Sequence, residues 1–170
     1  MKPKLFDSHA HINFNAFKED GFEIVKKCLE QGIWMINVGT QLTTSERAVY
    51  YADNFKKGVY AAVGLHPMNL KTGLVKIKID KEEVEFETKE EDFDYQQYKK
   101  LAQNPKVLAI GEIGLDYWRR PKTKKKQEQL KNRQKDIFVQ QIKLAQELDL
   151  PIIIHCRLAF DDLYEIIKQI

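Results

Sequence analysis

His9 and His11 stand two residues apart in Asp7-Ser-His-Ala-His11, at the end of a short apolar run. Residues i and i+2 of a β-strand share a face, so the two imidazoles, about 7 Å apart along such a strand, can converge on one divalent ion. Taken alone, the spacing suits equally one solvated histidine and one packed in a loop. Three further groups extend the pattern. His66 follows Gly64-Leu65, Glu112 lies in Ile110-Gly-Glu-Ile-Gly-Leu-Asp116, and His155 lies in Ile152-Ile-Ile-His-Cys-Arg157, each ending an apolar run. Three imidazole nitrogens and a carboxylate satisfy one divalent cation, and a bridging carboxylate with a fourth histidine holds a second. The alternative is that backbone or water satisfies each group separately. The chemistry open to such a pair is hydrolysis: a water of lowered pKa attacks while positive charge neutralises the attacking and leaving oxygens.

The elements that must hold these residues follow from hydrophobic periodicity. Five apolar, β-branched runs at residues 4–11, 32–39, 58–65, 107–114 and 151–155 read as strands. Phe22, Val25, Leu29 and Ile33 keep helical spacing after the first strand, and Ile137, Phe138, Ile142, Ala145 and Leu148 do so before the fifth. A short helix over residues 95–103 leads into the fourth strand, Lys124 to Lys126 occupy a helix's first turn, and a run over 160–170 puts Leu163, Ile166, Ile167 and Ile170 on one face. Strands alternating with helices imply a parallel sheet with right-handed crossovers. Nearly continuous apolar strands imply burial on both faces. All four histidines and Glu112 then fall at the carboxyl ends of strands, where parallel α/β barrels build their active sites. Residues 71–91 break the rhythm: Val75, Ile77 and Ile79, then Val84, Phe86 and Thr88, alternate with polar residues and read as a β-hairpin inserted after the third strand. The acidic stretch at 82–94 reads as a solvated face. No repeat or linker divides the chain, so residues 1–170 read as one domain.

Bulk properties narrow the class. At 170 residues, 43% hydrophobic and 31% charged, the chain has the composition of a soluble globular domain rather than a disordered or collagen-like one. Lys and Arg (28) nearly balance Asp and Glu (25), so net charge does not select a partner. No apolar stretch reaches the roughly 18 residues of a membrane span, and no signal-peptide core precedes the first strand. Cys28 and Cys156 are too few for a disulfide framework; they read as small buried hydrophobes in a reducing, cytoplasmic setting.

Asp7-Ser-His-Ala-His11, Gly64-Leu-His-Pro67, Ala109-Ile-Gly-Glu-Ile-Gly-Leu-Asp-Tyr117 and Pro151-Ile-Ile-Ile-His-Cys-Arg157 resemble, in order, the signatures of TatD-type metal-dependent deoxyribonucleases. The Gly-Glu-Ile-Gly-Leu-Asp string separates the chain from other amidohydrolase-like barrels and from phosphoesterases that also begin with H-x-H. The resemblance implies a (β/α)8 TIM-barrel fold and cleavage of DNA phosphodiester bonds by a hydroxide activated by one or two divalent metals (Zn, Mg or Mn). It implies that His9 and His11 bind one metal, Glu112 bridges two, and His155 binds the second, with Glu112 and His66 catalytic and His66 near the substrate. Arg157 is a candidate phosphate contact, since a guanidinium grips phosphate bidentately. Asn13 stands where family members often carry an acid.

The stretch from 119 to 135 carries Arg119, Arg120, Lys122, Lys124, Lys125, Lys126, Lys131, Arg133 and Lys135 against Glu128 and no other acid. Arg119 and its neighbours either meet a phosphate backbone or form a solvated helix end, and Tyr117 and Trp118 could stack on bases. A (β/α)8 barrel takes about 250 residues, whereas five of eight βα units are legible here. The family's later metal-binding His on the sixth strand and its Asp on the eighth have no counterpart, because no histidine follows His155. An unfinished barrel exposes two sheet edges and invites self-association or a completing partner. Two other functions stay open: a truncated, non-catalytic chain that binds metal or nucleic acid, and an amidohydrolase-like enzyme acting on amides or lactones.

Overall fold

The computed structural model describes residues 2–70, 91–118 and 120–169. Strand β1 (Leu5–Ala10) passes through a 3-10 turn at Asn15–Phe17 into α1 (Gly21–Glu30). There follow β2 (Ile33–Val38), α2 (Leu42–Asp53), β3 (Val59–Val63), α3 (Tyr95–Ala102), β4 (Val107–Asp116), α4 (Lys124–Glu147), β5 (Ile152–Arg157) and α5 (Phe160–Ile167). All five strands pair in parallel, in chain order. Parallel neighbours need crossovers, and helices supply them. The result is a parallel sheet flanked by helices that curls into an open, incompletely closed barrel, the architecture of a partial (β/α)8 fold.

Alternation along the strands sorts side chains between the two faces. Met35, Val59, Ala61, Val63 and Leu115 join Val25, Ala52, Tyr98, Phe138 and Leu144 in one large core. The alternate positions Val38, Ala62 and Ala109, with Ile36 and Ile153, form a smaller cluster on the opposite face. Burial on both faces therefore holds for the inner strands only. Leu5 and Phe6 on β1 and Ile154 on β5 are exposed, because each of these strands pairs on one side alone among the described residues.

Four sequence expectations are amended. Helix α2 was not anticipated: after Leu42 its first turn holds Thr43, Thr44 and Ser45, residues of low helix propensity. Its start is held instead by hydrogen bonds, with Gln41 N–H donating to Thr44 Oγ1 (3.0 Å) and Leu42 N–H to the Glu91 carboxylate (3.0 and 3.1 Å). On α5, Leu163 is buried and Ile166 packs on the core, but Ile167 is exposed along with Tyr164 and Phe160, one and two turns back; Ile170 lies outside the described residues. Cys156 is exposed rather than buried, since it sits on edge strand β5, while Cys28 is half-buried. Strands β4 and β5 run two residues further than expected, to Asp116 and Arg157. The hairpin expected at 71–91 falls outside the described residues except for Glu91, whose N–H donates to Asn69 O (2.8 Å), so the chain on either side of the insertion meets. No helix among the described residues is long and apolar enough to cross a membrane.

Candidate metal centre

The carboxyl-side halves of β1, β4 and β5 and the loop after β3 deliver the site, with Glu112 inside β4 rather than at its end. Hydrogen bonds to the residues after β2 fix relative height: Glu112 N–H donates to Gly39 O (2.9 Å), and His66 N–H to Thr40 O (2.9 Å). The Gly111–Glu112 peptide is cis. Gly114 lets β4 pass close to β5, with φ +146 and a Cβ position that would lie 2.0 Å from the His155 carbonyl oxygen. Only glycine fits that approach.

Within this frame Glu112 divides its two oxygens. Oε2 lies 3.3 Å from His9 Nε2. Oε1 lies 3.1 Å from His155 Nδ1 and 4.0 Å from His66 Nε2. Two clusters of possible ligands result, His9–His11–Glu112 and His66–Glu112–His155, both using the one carboxylate. The His9 and His11 rings meet edge to face with centroids 4.9 Å apart, and those of His66 and His155 at 4.1 Å.

Electrostatics follow from these contacts. Burial alone would raise Glu112, but the hydrogen bond from His155 and the imidazoles of His66 and His9 outweigh it and hold the carboxyl near 2. Burial likewise opposes charge on His155, yet its hydrogen bonds to Asp116 and Glu112 lift it to about 9. His66 goes the other way, pushed down to about 4 by burial and by the neighbouring His155. Burial also lowers His11, against the pull of its bond to the Val38 carbonyl. A carboxylate anion between imidazoles, two of them kept neutral, is a donor set of the kind divalent Zn or Mn accepts.

The groups behind the ligands are as ordered as the ligands. Val38 O accepts from His11 Nδ1 (3.0 Å) and from Asn13 Nδ2 (3.1 Å), so Asn13 buttresses this corner as a neutral amide where an acid was the family expectation. Asp116 Oδ2 receives His155 Nε2 (2.9 Å) while its Oδ1 accepts Trp118 N–H (2.9 Å). Two buried glutamines on α4, seven residues apart and hence on one face, clip the strand ends. Gln134 receives Asp116 N–H (2.9 Å) and donates to Asp116 O (3.0 Å); Gln141 receives Leu65 N–H (2.7 Å) and donates to Leu65 O (3.0 Å). Asp116, Gln134 and Gln141 were not among the expected site residues. Asp116 was visible inside the Gly-Glu-Ile-Gly-Leu-Asp string; the glutamines gave no signal beyond polar residues on the apolar side of a helix.

At the rim, the Arg157 guanidinium lies 4.4 Å over the indole of Trp118, which is 57% exposed. Arg119 lies outside the described residues. Part of the basic stretch is engaged internally: Lys135 pairs with Asp162 (2.8 Å), Arg133 with Asp92 (3.4 Å), Arg120 Nε donates to Tyr117 O (2.7 Å), and Lys131 sits 4.8 Å over the Tyr117 ring. Lys122 and Lys124 to Lys126 remain exposed, the latter three on the first turn of α4 behind the N-cap Thr123.

Known proteins resemble this chain over nearly its whole length. Residues 6–170 match the family model described as TatD related DNase. The chain is 34% identical over 167 residues to the uncharacterized metal-dependent hydrolase YabD of Bacillus subtilis (strain 168), covering 97% of this chain and 55% of that protein. It is 30% identical over 154 residues to a protein of Cronobacter turicensis named 3'-5' ssDNA/RNA exonuclease TatD, covering 90% of this chain and 49% of that one. The crystal structure of YjjV, a TatD homologue from Escherichia coli K12, superposes with a TM-score of 0.72 at 26% identity over 99% of this chain and 57% of the other. The chain thus spans about half the length of the curated relatives it matches. By the family model, the shared fold and the carboxylate set among strand-end histidines, it belongs to the TatD-related DNase family of metal-dependent hydrolases.

Proposed function

We propose that this chain carries the metal-binding part of a hydrolase that cleaves DNA phosphodiester bonds in the cytoplasm, with two divalent ions (Zn, Mg or Mn) sharing Glu112. The observation that carries this reading is the division of that carboxylate, one oxygen toward His9 (3.3 Å) and the other toward His155 (3.1 Å). His9 and His11 would hold one ion and His155 the other, with the Glu112 carboxylate available to both. Ions bound there supply a water of lowered pKa and positive charge for the phosphoryl oxygens. The chain's own side chains do the rest. Arg157, Arg119 and His66 are the substrate-binding candidates, with Arg157 suited to fork onto a phosphate. Trp118 offers a stacking face beside that charge, a pairing that suits a nucleotide and that an amide or lactone does not need. The exonuclease name of the Cronobacter relative supports nucleic acid as the substrate class.

The second reading is binding of metal and DNA without turnover, alone or until a partner or second copy completes the barrel. It is kept because the chain spans about half the length of the curated relatives it matches, and metal and nucleic-acid binding need fewer groups than turnover. The test is to incubate the chain with Mn2+ or Zn2+ and an end-labelled single-stranded oligonucleotide, beside an amide and lactone panel. Chelator-sensitive shortening of the oligonucleotide is expected. Retained oligonucleotide binding without shortening establishes the second reading, and cleavage confined to the amide or lactone panel overturns phosphodiester specificity. A chain that takes up no divalent ion sinks both.

A further inference from the structure

We infer that His66 serves the site as a hydrogen-bond donor, through Nε2–H, to a phosphoryl oxygen of the bound substrate, and that it is a ligand of neither ion; this rests on the phosphodiesterase reading above. Proximity alone groups His66 with Glu112 and His155 as a set that could hold an ion. The bond on the far nitrogen of each ring separates them. A metal-binding histidine gives its other N–H to a carbonyl or carboxylate, which leaves a lone pair for the ion. His11 fits that rule, with Nδ1 against the Val38 carbonyl (3.0 Å), and so does His155, with Nε2 against Asp116 (2.9 Å).

His66 inverts it. Its Nδ1 accepts the Met68 backbone N–H (3.1 Å), so the ring's proton resides on Nε2. Turning Nε2 into a ligand would move that proton to Nδ1 and set two N–H groups against each other. The loop gives little room to escape this. His66 N–H donates to Thr40 O (2.9 Å), His66 O accepts Asn69 N–H (2.9 Å), and Asn69 Nδ2 returns to Thr40 O (2.9 Å). Gln141 fixes the preceding peptide through both of its amide atoms. The same backbone that presents the imidazole therefore fixes which nitrogen holds the hydrogen. Nε2 lies 4.0 Å from Glu112 Oε1, beyond hydrogen-bond reach. Glu112 therefore does not take up this N–H, which is left to donate to a phosphoryl oxygen of substrate bound beside the carboxylate.

Two measurements on the chain test this. Long-range 1H–15N spectra of the 15N-histidine protein, without and with Zn2+, should show His66 in the Nε2–H tautomer throughout, while the ring nitrogens of His11 and His155 shift on zinc binding. In zinc titrations His66→Ala should stay within about twofold of the parent, whereas His155→Ala should lose about tenfold or more. With inorganic phosphate as the probe, the zinc-loaded His66→Ala protein should bind about tenfold more weakly, and His66→Gln, which keeps a side-chain N–H, should recover part of that loss. An Nδ1-protonated His66 in the zinc complex, a lost zinc equivalent in His66→Ala, or unchanged phosphate binding overturns the inference. Failure of the underlying reading looks different: the parent itself would take up no zinc.

Discussion

Replacing Glu112 by Gln tests whether one side chain supports two ions. The substitution keeps the shape of the residue, removes its charge and converts one oxygen to an NH2. Only 15% of the side chain is exposed, so a divalent ion about 4 Å away at an effective dielectric of about 20 interacts with it at about 8 kcal/mol. Part of that is returned by rehydration of the weakened site; a net loss of about 3 kcal/mol per ion is on the order of a hundredfold in affinity. The structure adds a sharper demand than magnitude. Because Oε2 faces His9 and Oε1 faces His155, both equivalents should weaken together in a calorimetric zinc titration, whereas His11→Ala should weaken one and spare the other. A second readout comes from the metal-free protein. Burial disfavours the His155 imidazolium, which is held up to about 9 by its bonds to Asp116 and Glu112, so its titration followed by NMR should move down when Glu112 loses its charge. The shared-carboxylate argument fails if Glu112→Gln weakens a single equivalent, or if both stay within tenfold of the parent.

Gly114→Ala places a Cβ 2.0 Å from the His155 carbonyl oxygen at φ +146; zinc affinity should fall about tenfold or more, as when ligand positioning is lost, and an unchanged affinity would show that β5 gives way freely. Gln141→Leu strips both partners from the buried Leu65 peptide and should cost about 3 kcal/mol in urea unfolding, at about 1–3 kcal/mol per unsatisfied group. In the metal-free chain, His66 is lowered to about 4, chiefly by burial, so the unfolded state protonates first and stability falls by roughly 3 kcal/mol as pH drops from 6.5 toward 4. His155 acts oppositely: its bonds to Asp116 and Glu112 overcome burial to lift it to about 9, and the stability it adds below 6.5 is lost as pH rises through 9; unfolding curves across pH should thus peak near 6.5 as far as these two groups are concerned, and a flat profile would count against both shifts. Arg157→Ala should weaken oligonucleotide binding and reduce its salt dependence by about one counterion; an unaltered slope between about 50 and 200 mM salt would remove Arg157 from the phosphate contact.

The sequence made the strand ends legible because two signals coincide there: an apolar run sets a strand, and a histidine or acid at its carboxyl end breaks the run. His9, His11, His66, Glu112 and His155 carry that double mark, and the structure does bring them together. Helix α2 carried neither, since Thr43, Thr44 and Ser45 hide its start and part of its capping comes from Glu91, forty-nine residues along the chain from Leu42. Arg133 and Lys135 left two readings open for a related reason: a basic run shows its charges but not the acids, Asp92 and Asp162, that pair with them. The deepest gap concerns roles rather than positions. Two histidines of identical type and similar surroundings, His11 and His66, differ because one ring nitrogen meets a carbonyl and the other an amide N–H. Every residue but proline brings both of those backbone groups, so no residue type announces which one a ring will meet. The side chains choose the chemistry available to the site, and the path of the backbone behind them assigns which imidazole offers a lone pair and which offers a proton.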